Sequence, residues 1–209
     1  SPDSFSQAAT RHQKRPRLTP RTSDDDLYSH VLTDVVPTLG QMAASRSAGH
    51  VTRAAVFLSR REILVGVAIF TLAVAVYANS ATHAFTLDDR WLILYNPLIQ
   101  SLRNVPTLLA SNYYAPTFEV GLYRPLTTLS YALNHAWGAL EPGSYHRVNI
   151  VLHGLNAALL FRLARGLGMG GAAAAFAGAL FAAHAVHAEV VANVAGRAEL
   201  LSTFFFLLA

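Results

Sequence analysis

From Ile63 to Thr82 the chain runs twenty positions without a formal charge, following a start in which Ser, Thr, Arg, Asp and Pro leave few apolar residues. Twenty apolar residues in a helix cross a hydrocarbon core, so residues 63–82 are expected to form a first transmembrane helix. Residues 1–60 cannot bury enough apolar surface to offset the entropy of ordering and are expected to be a disordered tail. Residues 148–165 form a second candidate span, interrupted by His153, Asn156 and Arg162, the last placed where it can snorkel to the interface. A hairpin at 166–171 leads to an Ala-rich third span, 172–186, whose small residues permit close helix contact. Residues 187–199 return to the far side, and 200–209 open a fourth span.

Between the first two spans lies a long loop, 83–147, divided by Pro97, Pro106 and Pro116. Leu122, Leu126, Leu129, Leu133 and Ala136 recur in steps of four and three, which places them on one helical face, with Thr127, Ser130, Asn134 and His135 on others. This pattern predicts an amphipathic helix lying along the membrane surface.

Composition agrees with a membrane protein: 53% of residues are hydrophobic and 13% charged. The net charge is +4, and nine of the sixteen basic residues precede the first apolar run. Arginines there favour a cytoplasmic tail, which puts the loop 83–147 on the extracytoplasmic side. No aromatic-rich basic groove accompanies them, so nucleic-acid binding is not indicated. An Arg- and Ser-rich start also suits a transit peptide, but the acidic triplet Asp24 to Asp26 argues against one. The chain opens on Ser1 and stops inside an apolar run, and it reads as a fragment of a longer protein. With no Cys, disulfides and thiolate metal sites are excluded.

Four groups carry candidate chemistry. Asp88 and Asp89 follow the first span, embedded among Phe85, Leu87, Trp91 and Leu92. They either mark a solvated helix end or supply a general base or a divalent-cation ligand. Arg124, ahead of Pro125, is a lipid-headgroup anchor or a phosphate partner. His146, Asn149 and His153 share a helix face, as hydrogen-bonding groups inside a bundle or, less simply, as zinc ligands. His184, His187, Glu189, Asn193, Arg197 and Glu199 form either a polar re-entry with paired Glu and Arg or a site where Arg197 meets a phosphate. No phosphate loop or nucleophile elbow is present.

In order and spacing, several stretches resemble the transmembrane and TPR-repeat O-mannosyltransferase family: FTLDDR at 85–90, NPLIQSL at 96–102, YRPLTTLSYALN at 123–134, YHRVNIVLH at 145–153 and HAVHAEVVANVAGRAELL at 184–201. The resemblance covers roughly residues 79–209. It implies an all-α integral membrane protein of the GT-C type, a multi-span helical bundle with amphipathic interfacial helices in its first extracytoplasmic loop. It further implies transfer of mannose from dolichyl phosphate mannose to Ser or Thr hydroxyls of secretory-pathway proteins at the endoplasmic reticulum membrane, or at the inner membrane if the source is bacterial.

By that resemblance Asp88 and Asp89 match the acidic pair of the first loop, one of them the catalytic base, with Asp88 favoured by analogy. Arg124, His146, Glu189 and Arg197 become candidates for contact with the lipid phosphate, and neither a metal nor a cofactor is expected. The expected partners are the lipid-linked donor, the acceptor protein and the bilayer. Rival readings are a GT-C enzyme with a lipid or glycan acceptor, a non-catalytic membrane anchor for TPR repeats, and a transporter. The chain departs from the family at Ala185, where Pro is usual, and lacks TPR repeats and further spans, so the fragment is expected to be inactive alone.

Overall fold

A computed structural model describes residues 59–118 and 121–209. The expected tail, 1–60, therefore lies outside the described residues apart from Ser59 and Arg60. Among the described residues every regular element is helical.

Helix α1 spans Arg60–Tyr77. Its start is a capping box: Ser59 Oγ accepts from the Glu62 N–H at 3.2 Å, and Glu62 Oε2 accepts from the Ser59 N–H at 3.0 Å. A tight turn of 3₁₀ helix, Ala78–Thr82, ends it. With that turn, α1 is the one described helix long and apolar enough to cross a membrane alone. Only Ile69, Ala73 and Tyr77 are buried, a four-residue repeat down one side, while Leu64 and Val67 stand more than half exposed. A stripe that narrow, with leucine and valine outside, suits a helix whose other faces meet lipid.

Helices α2 (Val105–Ala110) and α3 (Pro125–Gly138) belong to the long loop, and α4 (Pro142–Gly166), α5 (Gly171–Ala183), α6 (Ala188–Ala192) and α7 (Arg197–Leu208) follow it. The helix in the second candidate span begins at Pro142, before position 148, because Glu141 caps it: its carboxylate accepts from the N–H groups of Gly143 and Ser144 at 3.0 and 2.6 Å. The third candidate span, 172–186, is not one straight helix. It breaks at His184 and bends by 43° into the 185–192 segment, and the bent pair passes the length and hydropathy test for a span only when taken together. The break is capped by the His184 side chain, whose Nδ1 accepts from the Val186 N–H at 3.2 Å.

Alanines let α1, α4 and α5 approach closely around Ile69, Ala73, Ala157, Phe161, Ala174 and Ala182. Gly178 sits at this junction, where a Cβ would stand 2.9 Å from Ile69 and 3.1 Å from Phe161. A second core lies inside the long loop: Phe85, Leu92, Ile93, Ile99, Leu108, Tyr113 and Tyr131 pack with Tyr145 and Val194. Two of the prolines that divide the loop, Pro97 and Pro106, start its pieces, and Pro125 starts α3; all three occupy first turns, where a missing N–H costs nothing. Burying Leu92, Ile93 and Ile99 contributes about 1.5–3 kcal/mol each toward fixing these short pieces.

Helix α3 is turned with its polar side inward. Thr127, Thr128 and Asn134 are buried, whereas Leu126, Leu133 and Trp137 are each more than half exposed. An outward apolar face on a helix with a polar interior is the arrangement expected where the surroundings are lipid.

Candidate functional site

The chain enters the site through a left-handed turn. Leu87 has φ +42°, outside the range that a branched side chain favours, and its side chain is 80% exposed. The Asp89 N–H then donates to Thr86 O at 2.9 Å and the Arg90 N–H to Leu87 O at 3.2 Å, so Asp88 and Asp89 sit on successive positions of a helical turn. Such neighbours point about 100° apart. One carboxylate faces outward and the other inward.

Asp89 is the inward one and is fully buried. Its Oδ1 accepts from the Ala195 N–H at 2.9 Å and its Oδ2 from the Thr86 N–H at 3.3 Å. Burial pushes its carboxyl above the usual range, against the pull of those amides. Asp88 is exposed, and its Oδ2 accepts from the Tyr114 hydroxyl at 3.4 Å. Burial and then the Asp88 charge raise the Tyr114 phenol, which keeps it a donor.

Arg124 lies in the same electrostatic neighbourhood, since its charge and that of Glu199 also act on Tyr114. Its Nη1 pairs with Glu199 Oε1 at 3.3 Å, and its guanidinium lies 5.1 Å from the centre of the Tyr113 ring. Burial raises Tyr113 to about 12. Arg124 and Glu199 form the charged edge of a cavity of about 610 Å³ between the start of α3 and α7, with Leu126, Leu201 and Phe205 among its apolar walls. The arrangement holds an exposed carboxylate, a phenolic donor to it and a half-exposed guanidinium beside an apolar hollow.

The remaining candidates are placed elsewhere. Arg197 is fully buried. Its Nε donates to Asn149 Oδ1 at 2.9 Å, Nη2 to Asn134 Oδ1 at 3.0 Å and to Tyr145 O at 2.9 Å, and Nη1 to Ser130 O at 3.4 Å. The Tyr131 ring lies beneath it at 4.8 Å. From the sequence, Arg197 is a candidate for contact with the lipid phosphate; here its guanidinium turns its donors to interior acceptors. Burial lowers its pKa to about 10, so it stays charged at neutral pH.

His146 is buried and stands edge-on to His83 at 6.1 Å between ring centres, likewise away from the cavity. Glu189 is exposed on α6. Asn149 is occupied by Arg197 and by Asn193 O, to which its Nδ2 donates at 2.9 Å, and His153 Nε2 meets Ala182 O at 3.2 Å. These contacts account for Asn149 and for one nitrogen of His153 by internal bonding, whereas His153 Nδ1 and both ring nitrogens of His146 are buried without a hydrogen-bond partner among the described residues.

Tyr114 and Tyr131 escaped the sequence reading. Tyr131 sits between Thr127, Ser130 and Asn134, and that polar side of α3 was the available signal. Tyr114 had none, because its neighbour Asp88 is 26 residues away.

Comparison with known proteins places the sequence among a named group. The chain is 36% identical over 156 residues, 73% of its length, to protein O-mannosyl-transferase Tmtc1 of Drosophila melanogaster. It is 35% identical over 156 residues to protein O-mannosyl-transferase TMTC3 of Homo sapiens, again 73% of its length. With protein O-mannosyl-transferase tmtc2 of Xenopus laevis it shares 45% identity over 87 residues, 42% of the chain and 10% of that protein. It spans 18% of the fly protein and 17% of the human one. No family model matches the chain, and no solved structure matches it.

Proposed function

The chain belongs to the TMTC family of protein O-mannosyl-transferases, and from that premise we propose that Asp88 is the general base of a mannosyl transfer at the membrane surface. The donor is dolichyl phosphate mannose and the acceptor a Ser or Thr hydroxyl of a secretory-pathway protein. The setting is a multi-pass GT-C enzyme of the endoplasmic reticulum membrane.

In this reaction the acceptor oxygen forms a bond to the anomeric carbon, the bond from that carbon to the phosphate oxygen breaks, and the acceptor proton passes to the Asp88 carboxylate. Dolichyl phosphate departs as an anion, which Arg124 stabilises from the edge of the cavity, while the apolar walls accommodate the first part of the lipid. Tyr114 orients the base through its hydrogen bond. The chemistry uses carboxylate, phenol and guanidinium, and the reading assigns it no cofactor.

The observation that carries this reading is the division of the acidic pair: Asp88 is exposed and bonded to Tyr114, on which the Arg124 charge also acts, and Asp89 is buried with both oxygens bonded to backbone amides. The test is mannose transfer from labelled dolichyl phosphate mannose to an acceptor peptide by the full-length protein. Asp88→Asn is expected to lower kcat by about 10²–10⁴-fold, the range for loss of a general base. Wild-type transfer by that variant would overturn the assignment.

A further inference from the structure

Residues 193–197 form a strap whose backbone is gripped from four directions. Asn149 Nδ2 donates to Asn193 O at 2.9 Å and the Tyr131 hydroxyl to Val194 O at 3.0 Å. The Tyr113 hydroxyl donates to Ala195 O at 3.4 Å, and the Ala195 N–H donates to Asp89 Oδ1. The strap then ends in the buried Arg197 side chain, and a Cβ on Gly196 would collide with the backbone of Val190, so it lies flat against α6. Tyr113 and Tyr131, whose hydroxyls stand 3.1 Å apart, link these grips.

Asp89 is the only acidic member of this assembly among the described residues that bond the strap backbone, and it is covalently next to Asp88. Its second oxygen takes the Thr86 N–H, so the turn that sets the direction of Asp88 closes on the strap through one carboxylate. With both oxygens facing backbone amides and no exposed surface, Asp89 presents nothing to an acceptor hydroxyl.

We infer that Asp89 is a positioning residue: by holding the strap at Ala195 it fixes the direction of the Asp88 carboxylate, which makes residues 193–197 part of the machinery of the first loop. The inference rests on the assignment of Asp88 as base. A loosely held base loses rate steeply, since a misplacement of about 1 Å costs on the order of 10²-fold. Asparagine cannot replace Asp89 fully, because its amide nitrogen opposes one of the two N–H donors.

The experiment measures kcat, KM for the donor and the pH profile of the full-length protein, per folded molecule, for Asp88→Asn, Asp89→Asn, Tyr131→Phe and the Asp89→Asn/Tyr131→Phe double variant. Tyr131→Phe loosens the strap from the other side without touching the acidic pair. Both single strap variants are expected to lower kcat about tenfold, to leave KM within about twofold and to keep the fall in rate at low pH that reports the base. Their double variant should fall short of the product of the two effects, because both act through one strap. An Asp89→Asn enzyme with wild-type kcat, or one that has lost the acidic limb, overturns the inference. A fully active Asp88→Asn enzyme instead overturns the assignment of the base, so the two failures are told apart.

Discussion

Glu62 Oε1 accepts from Arg165 Nε at 2.9 Å, joining the first turn of α1 to the last turn of α4 across 103 residues of chain. The two helices therefore run antiparallel, and Arg60 and Arg61 share an end with Arg165. Asp88 lies beyond the other end of α1.

This arrangement predicts a topology. An N-glycosylation sequon inserted at Gly121 should be modified in microsomes, and one inserted at Gly168 should not, as read by a glycosidase-sensitive mobility shift. Modification at Gly168 with none at Gly121 would reverse the orientation.

Gly178→Val tests the seam of α1, α4 and α5. The added methyl groups meet Ile69 and Phe161 and approach Ala157 O, so overpacking should cost about 1–3 kcal/mol, read as a lower thermal midpoint in detergent. Replacement of exposed Phe176 by Leu on the same helix should move the midpoint little.

Arg197→Met removes the donors for Asn149, Asn134 and Tyr145 O while keeping an apolar stem. The buried amide oxygens of Asn149 and Asn134 are left unpaired, while Tyr145 O keeps its place in the α4 helical ladder, so a loss of about 2–4 kcal/mol is expected, far more than for an exposed arginine such as Arg90. The measurement is thermal unfolding of the two variants side by side. Equal effects would contradict an interior role for Arg197.

His146 gives a pH dependence. Burial first, then the charge of His83, holds its pKa below the ordinary value of 6.5. The folded state thus binds fewer protons than the unfolded one below about pH 6.5. Its contribution to stability is complete above that pH and is lost as pH falls toward the depressed folded value. Thermal midpoints of wild type and His146→Phe between pH 7.5 and 5 should show a shallower acid decline in the variant.

The apolar runs at 63–82 and 148–165 fall largely on α1 and α4, the run from 172 falls on α5 as far as Ala183, and the leucine spacing from Leu126 to Leu133 lies on α3. What stayed hidden was non-local. The Glu141–Pro142 start of α4 carries a local cap, but the apolar run begins later and masked it. The break at His184 has no Pro or Gly, so nothing local announced it. Arg197 looked like a phosphate ligand because its acceptors come from α3 and α4, 48 to 67 positions away, and only folding brings them together. Asp88 and Asp89 were likewise inseparable in sequence, since the amide that tells them apart belongs to Ala195.

The buried row on α4 also sets an order of biosynthesis. His153 finds its partner 29 residues further on at Ala182, while Asn149 and Asn156 each wait 44 residues, for Asn193 and Leu200. At about 5–20 residues per second, the amides leave the ribosome about 2–9 s ahead of the carbonyls that satisfy them. During that interval α4 carries uncompensated polar groups that hydrocarbon penalises. In the multi-pass setting proposed above, the insertion machinery has to retain α4, or a chaperone has to shield it, until α5 to α7 have been made.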